Sequence, residues 1–297
     1  MSTTTASPLK VWTMAARPKT LGAAIAPVVM GTAMAYAAGG GHLPSALLAL
    51  IGAMLIQVGV NYHNDYADYV KGTDTEDRVG PTRITQAGLA APETVRRATF
   101  VVFGLAVLAG VYLILRGGWP ILLIGVLSIA SALLYTAGPF SLSETGLADL
   151  FVLVFFGPVA VGGTYYVQAL DITAPVVVAG LAPGLISEGI LLVNNIRDLE
   201  NDRAAGKKTL PVRFGRRFGV GLYVASMIGA AAIPVVLYLW TDAYPAVMAA
   251  SAAVVLAVPV IRTLATERDP AVLNPLLGAT GRMLVLYAAL FSIGWML

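Results

Sequence analysis

Apolar residues run through this chain in long, nearly unbroken blocks, not in the three-four spacing of a helix that keeps one face in water. The blocks fall at about 20–38, 44–63, 98–115, 119–137, 147–168, 174–195, 218–240, 245–263 and 276–297. A helix needs about 20 mostly apolar residues to cross a hydrocarbon core of about 30 Å. The pattern therefore predicts an all-α, polytopic bundle of nine transmembrane helices in the lipid bilayer. Between the blocks stand GGGHLP, RGGWP, AGPFSLSETG, QALDITAP, TDAYP and TERDP, rich in turn residues. No block stands apart as a second domain, so residues 1–297 read as one integral-membrane unit. The opening MSTTTASPLKVW has no apolar stretch before a small-residue cleavage site, so no signal peptide is expected.

Composition removes the soluble alternatives. The 297 residues are 58% apolar and 12% charged, with a mean hydropathy of +0.79. That charged fraction is about half that of a soluble domain and could not cover a wet surface of this size. Without cysteine there is no disulfide, thiolate or Fe–S chemistry, and His42 and His63 alone cannot build a polyhistidine site. A metal must then sit on oxygen ligands, which favours Mg²⁺ or Ca²⁺. The net charge of +3 does not point to nucleic acid in such a chain. It reflects basic cytoplasmic loops.

The basic residues set the orientation. Lys10, Arg17 and Lys19 precede the first block, and the loop after the second holds Lys71, Arg78, Arg83, Arg96 and Arg97. The loop after the sixth holds Arg197, Arg203, Lys207, Lys208, Arg213, Arg216 and Arg217, and Arg262 and Arg268 follow the eighth. Of the 19 basic residues only Arg116 and Arg282 lie elsewhere. This asymmetry predicts a cytoplasmic N-terminus in the cell membrane.

Half of the 16 carboxylates gather at two helix ends on that same side. One group follows the second block in NYHNDYADYVKGTDTED, and the other follows the sixth in NNIRDLEND. Asn64 and Asp68 are four residues apart, and Asn194, Asp198 and Asp202 form an i, i+4, i+8 line, so each set shares a helix face. Stacked carboxylates repel one another unless a cation lies between them. One such motif alone reads as a solvated helix end. Two of them, beside the two most basic loops, read as a hard-cation site with room for an anion. Mg²⁺ shares its coordination between one or two carboxylates and substrate phosphates, and basic side chains take the remaining oxygens. With an apolar bundle behind it, the site points to a diphosphate on a lipid tail.

NDYADYVKGTD with RVGPTR, and NNIRDLENDRAAGKKTL, resemble the motifs of the UbiA superfamily of intramembrane aromatic prenyltransferases. ARPKTLGAA before the first block, YTAGP after the fourth and FGPVAVGGTYYVQ in the fifth resemble its naphthoate branch. The likeness runs over essentially the whole chain. One departure concerns the usual N-x3-D-x3-D: four residues after Asp68 stands Gly72, and the next carboxylates are Asp74 and Asp77, either of which would supply the third ligand.

The resemblance implies a Mg²⁺-dependent transfer of a polyprenyl group from polyprenyl diphosphate to 1,4-dihydroxy-2-naphthoate, with loss of CO₂. Asn64, Asp68, Asp74, Asp198 and Asp202 would hold the metal and diphosphate, and Lys71, Arg78, Arg83 and Lys207 would neutralise its oxygens. Candidates for the acceptor are Asn194, Asn195, Glu188, Tyr135 and His63. Tyr135, with Tyr66, Tyr165 and Tyr166, also offers a ring face to an allylic cation, against a place in the interfacial aromatic belt. Glu188 is isolated within the sixth block, where a charge costs roughly 2.5–3.5 kcal/mol, and is either functional or a protonated packing residue. His63 is either an acceptor contact or a hydrogen-bonded helix residue, and Arg17 either receives the acceptor's carboxylate or anchors the first helix. The alternatives are a related enzyme acting on another acceptor such as 4-hydroxybenzoate, and a secondary transporter. Transporters place their coupling sites near the bilayer midplane, whereas these carboxylates collect at one face. The oligomeric state is not legible.

Overall fold

The computed structural model describes residues 7–72, 80, 82–136 and 141–297, and among these the chain is helical with no strand. The order is α1 (Pro8–Ala16), α2 (Pro18–Ala37), α3 (Leu43–Lys71), α4 (Pro92–Gly117), α5 (Trp119–Thr136), the single turn α6 (Leu142–Thr145) and α7 (Ala148–Ala169). There follow α8 (Ala174–Arg197), the short α9 (Leu199–Ala204) and α10 (Leu210–Phe214), α11 (Arg216–Thr241), α12 (Pro245–Thr266) and α13 (Pro270–Met296). Nine of the described helices are long and apolar enough to cross a membrane: α2, α3, α4, α5, α7, α8, α11, α12 and α13. Each apolar block identified in the sequence corresponds to one of them. The ends differ most for α3 and α4, which run past their apolar blocks into polar sequence.

Helices α2 and α13 pack together and bring the two ends of the bundle side by side. The packing is uneven, and that positions the site. The largest core unites α2, α7, α8, α11, α12 and α13 around Met30, Ile186, Tyr223, Leu264, Tyr287 and Phe291. Helix α8 is the centre of this half, with 67% of its apolar window buried, against 17% for α3 and α5 and 22% for α4. Helices α3, α4 and α5 bury less of their surface, and a large internal space lies between them and the wall formed by α7 and α8.

That wall depends on small residues, which let helices approach closely where lipid supplies no hydrophobic drive. A Cβ on Gly180 of α8 would lie 2.6 Å from Cα of Pro158, and one on Gly157 of α7 would lie 2.7 Å from the Gly180 carbonyl oxygen. In α7, residues Phe155–Val159 form a π-type turn in which Gly157 is non-helical (φ −112°, ψ −115°). Pro158 removes a donor at the same place. Such turns re-aim the residues around them, and here Phe151 and Phe155 stack with centroids 5.9 Å apart on the cavity side. Replacing Gly180 with valine should force α7 and α8 apart and lower stability by about 1–3 kcal/mol, the usual cost of overpacking. Thermal unfolding of the detergent-solubilised protein measures this, and an unchanged midpoint would refute the close-packing argument.

Candidate active site

A cavity of about 1030 Å³ lies between α2, α3, α4, α5, α7 and α8. Its apolar walls include Ile56, Val60, Leu113, Ile129, Phe151 and Val159, and its polar end is lined by Asn64, Asp68, Arg83, Asn194, Asp198, Asp202 and Lys207. The lining runs along α5 from Tyr135 to Ile121, fourteen residues or about 21 Å at helical rise. The cavity therefore extends from the acidic end through much of the bundle's thickness.

Each acidic motif is shaped by how its helix ends. Helix α3 stops at Lys71 because Gly72 adopts the left-handed conformation (φ 67°), its N–H reaching the carbonyls of Asp68 and Tyr69. Glycine takes that conformation without strain. The departure at Gly72 thus has a structural meaning: the helical line ends with Asp68, before Asp74 and Asp77. Asp74, Asp77 and Arg78 lie outside the described residues. In the second motif the regular helix ends at Arg197, and Asp198 (φ −92°, ψ 9°) joins α8 to α9. The bonds Asp198 N–H to Asn194 and Asp202 N–H to Asp198 continue across the break. Asn194, Asp198 and Asp202 accordingly all reach the cavity.

Basic and hydroxyl groups hold these side chains. Arg83 pairs with Asp68, Lys207 Nζ lies 2.9 Å from Asp202 Oδ1, and Thr136 donates to Asn64 Oδ1. Arg197, its side chain fully buried, donates to both Asp198 oxygens (2.8 and 2.6 Å), to Asn194 Oδ1 (2.8 Å) and to Asn274 Oδ1 on α13 (2.8 Å). Burial pushes the Asp202 carboxyl above the usual carboxylate range, and Asp198 adds to that against Lys207 and Arg197. Burial opposes the Lys207 charge, but Asp202, Asp68 and Asp198 outweigh it and hold the ammonium above the ordinary lysine range. The Lys207 shift thus reflects the three carboxylates gathered around its ammonium, whereas the Asp202 shift reflects burial first.

No three His, Cys, Asp or Glu side chains among the described residues close on one point. The donors that are present suit Mg²⁺, all being carboxylate or amide oxygens on two facing helix ends, the arrangement in which substrate phosphates complete the coordination.

Of the remaining sequence candidates, Asn195 and Tyr135 line the cavity. Lys71 instead pairs with Glu144 of α6 at 2.8 Å. The Glu144 carbonyl accepts the Lys208 N–H and the Thr145 carbonyl accepts from Arg213, so α6 is tied to the end of α3 and to the segment after the second motif. His63 donates to the Leu133 carbonyl at 3.2 Å, and Glu188, 7% exposed, accepts from Ser226 of α11. Neither lines the cavity. Arg17, at the left-handed kink between α1 and α2 (φ 50°), does line it. Two residues escaped the sequence reading. Asp65, counted with the acidic group, binds the N–H groups of Ile84 and Thr85 (2.9 and 3.0 Å) and so places Arg83 beside Asp68. Arg197 counts in the sequence only towards orientation, although its place between Asn194 and Asp198 is the available signal.

Residues 24–295 match the UbiA prenyltransferase family. The chain belongs to that family. It is 39% identical to a 1,4-dihydroxy-2-naphthoate octaprenyltransferase of Mycobacterium tuberculosis, over 93% of this chain and 94% of the relative. It is 35% identical to the enzyme of the same name from Haemophilus influenzae, over 96% of both chains. In fold it is similar to a UbiA homologue from Archaeoglobus fulgidus whose structure is bound to DMAPP and Mg²⁺, with a TM-score of 0.64 at 14% identity over 95% of this chain and 99% of that one. As a UbiA prenyltransferase with nine membrane-capable helices among its described residues, the chain is a multi-pass membrane enzyme.

Proposed function

We propose that this UbiA prenyltransferase transfers a polyprenyl group from polyprenyl diphosphate to 1,4-dihydroxy-2-naphthoate, releasing CO₂ and diphosphate and giving demethylmenaquinol. The observation that carries the reading is the pair of acidic helix ends facing the polar end of one long apolar cavity. The acceptor follows from the relatives, which share more than a third of their residues with this chain over nearly its full length. The basic residues on the acidic side support a site that opens to the cytoplasm of the cell membrane.

Asn64, Asp68, Asp198 and Asp202 would hold Mg²⁺, which when bound neutralises diphosphate charge and makes it a competent leaving group. Arg83 and Lys207, now on Asp68 and Asp202, are placed to turn to the phosphate oxygens as the carboxylates engage the metal. As the allylic C–O bond breaks, positive charge grows on the isoprenoid carbon. The apolar walls keep water from that carbon, and the ring faces of Tyr135, Phe151 and Phe155 on the cavity wall favour the charge. The electron-rich naphthoate ring then attacks through the carbon bearing its carboxylate, which leaves as CO₂.

Purified protein given one polyprenyl diphosphate should prenylate dihydroxynaphthoate with Mg²⁺ and lose that activity with EDTA. Conversion of 4-hydroxybenzoate in its place would refute the acceptor. Activity unchanged by EDTA would refute the metal.

A further inference from the structure

A single helical turn, α6, reaches the polar end of the cavity. Leu142 and Ser143 of that turn line the cavity together with Asp68 and Gly72 at the end of α3 and with Asp202 and Lys207 at the second motif. The two sides of α6 are fastened differently. Towards the second motif the fastening is backbone. The Lys208 N–H donates to the Glu144 carbonyl at 2.7 Å, and Arg213 donates to the Thr145 carbonyl at 2.9 Å. Gly146, in the left-handed region (φ 77°), lies so close that a Cβ on it would stand 2.9 Å from the Lys208 carbonyl oxygen. Towards the first motif, among the described residues, the polar fastening is an ion pair between side chains. Lys71 Nζ lies 2.8 Å from Glu144 Oε1, and the two side chains are 25% and 28% exposed.

Such an arrangement has a hinge side and a latch side. One turn of helix does not hold its own conformation in isolation, so α6 sits where its anchors put it. Backbone contacts fix the side next to Lys208. A partly exposed ion pair is weak and is screened by salt, so the side next to Lys71 can release without breaking a backbone bond. The proposed reaction needs both states. The diphosphate head must enter at the polar end, and the growing allylic charge must then be kept from water. Apolar walls guard the flanks of the cavity, whereas water comes from its polar end. Water that reached the allylic carbon would bond to it through oxygen as the C–O bond to diphosphate breaks. It would then give up a proton to solvent, leaving a polyprenol in place of the prenylated ring.

We propose that Glu144 is a positioning residue for the transfer: its ion pair with Lys71 latches α6 across the polar end of the cavity and keeps water from the allylic carbon while diphosphate leaves. Released from Lys71, α6 swings on its Gly146–Lys208 side and admits the diphosphate head. Lys71 thereby serves the closure of the site, not the phosphate oxygens. The inference rests on the prenyltransfer reading above and adds to it the control of water.

The test gives the full-length enzyme a polyprenyl diphosphate, Mg²⁺ and dihydroxynaphthoate, and reads the ratio of polyprenol to prenylated product. Glu144→Gln should raise that ratio about two- to fivefold, the range that loss of a partly exposed ion pair allows. Glu144→Lys should raise it further, because two ammonium groups then repel each other. Exchanging the pair, Lys71→Glu with Glu144→Lys, should bring the ratio back towards that of the wild type. Salt screens the pair, so the wild-type ratio should climb with ionic strength while that of Glu144→Gln changes less. Turnover that drops in both single variants with an unchanged ratio would mark Glu144 as merely structural and overturn the proposal, as would wild-type behaviour in both. An exchanged pair as leaky as Glu144→Lys would overturn the latch to Lys71. Wild-type enzyme that makes no prenylated naphthoate would instead sink the functional reading on which this one depends.

Discussion

Asparagine in place of Asp68 or Asp198 should leave a folded protein whose prenyl transfer is about 10²–10³-fold slower. Each aspartate contributes one negative charge to a site that gathers a cation, and each reaches the cavity from a different helix end. Asparagine keeps the size of the side chain and one acceptor oxygen but removes that charge. Alanine is the less informative change. The Arg83 side chain is 5% exposed and that of Arg197 is fully buried, and stripping the partner from a buried guanidinium costs about 3–5 kcal/mol by itself. Asparagine softens that cost by keeping an acceptor oxygen for the guanidinium, whereas alanine loses the oxygen too and mixes lost chemistry with more lost stability. Diphosphate release measured against Mg²⁺ concentration separates the two, and the asparagine variants should need more Mg²⁺ as well as turning over slowly. Wild-type turnover at the wild-type Mg²⁺ concentration would show that these carboxylates do not serve the metal.

The parts of this molecule that were legible in the sequence are those governed by one-dimensional rules. Crossing a bilayer demands about 20 apolar residues, and that requirement marked all nine long helices. The i, i+4 spacing put Asn194, Asp198 and Asp202 on one line, and they do reach the cavity together despite the irregular backbone at Asp198. What stayed hidden depends on partners distant in sequence. Asp65 and Asp68 look alike in NDYAD and lie only about 60° apart around the helix, so spacing alone does not separate them. One binds the backbone of Ile84 and Thr85 while the other lines the cavity. Lys71 follows the motif closely and still turns to Glu144, 73 residues away. Glu188 and Ser187 are neighbours, but only the serine lines the cavity.

Arg197→Met should be among the most damaging single changes outside the metal ligands, in stability as well as activity. The guanidinium makes four hydrogen bonds at once, two to Asp198, one to Asn194 and one to Asn274. It thereby ties the acidic end of α8 to α13 and sets the angle at which Asn194 and Asp198 enter the cavity. Methionine fills similar volume and satisfies none of these groups, leaving Asp198 without its cation, at a cost of about 3–5 kcal/mol. Lysine keeps the charge but not the planar fork, so Arg197→Lys should fall between the two. Magnesium provides the check. A cation bound beside Asp198 replaces part of the lost charge, and a ligand that binds only the folded state raises stability by mass action. Thermal unfolding of Arg197→Met in detergent should therefore respond to added Mg²⁺ more strongly than that of the wild type. If the two midpoints move in parallel with Mg²⁺, the role of Arg197 in presenting Asp198 to the metal is refuted and its bond to Asn274 serves packing alone.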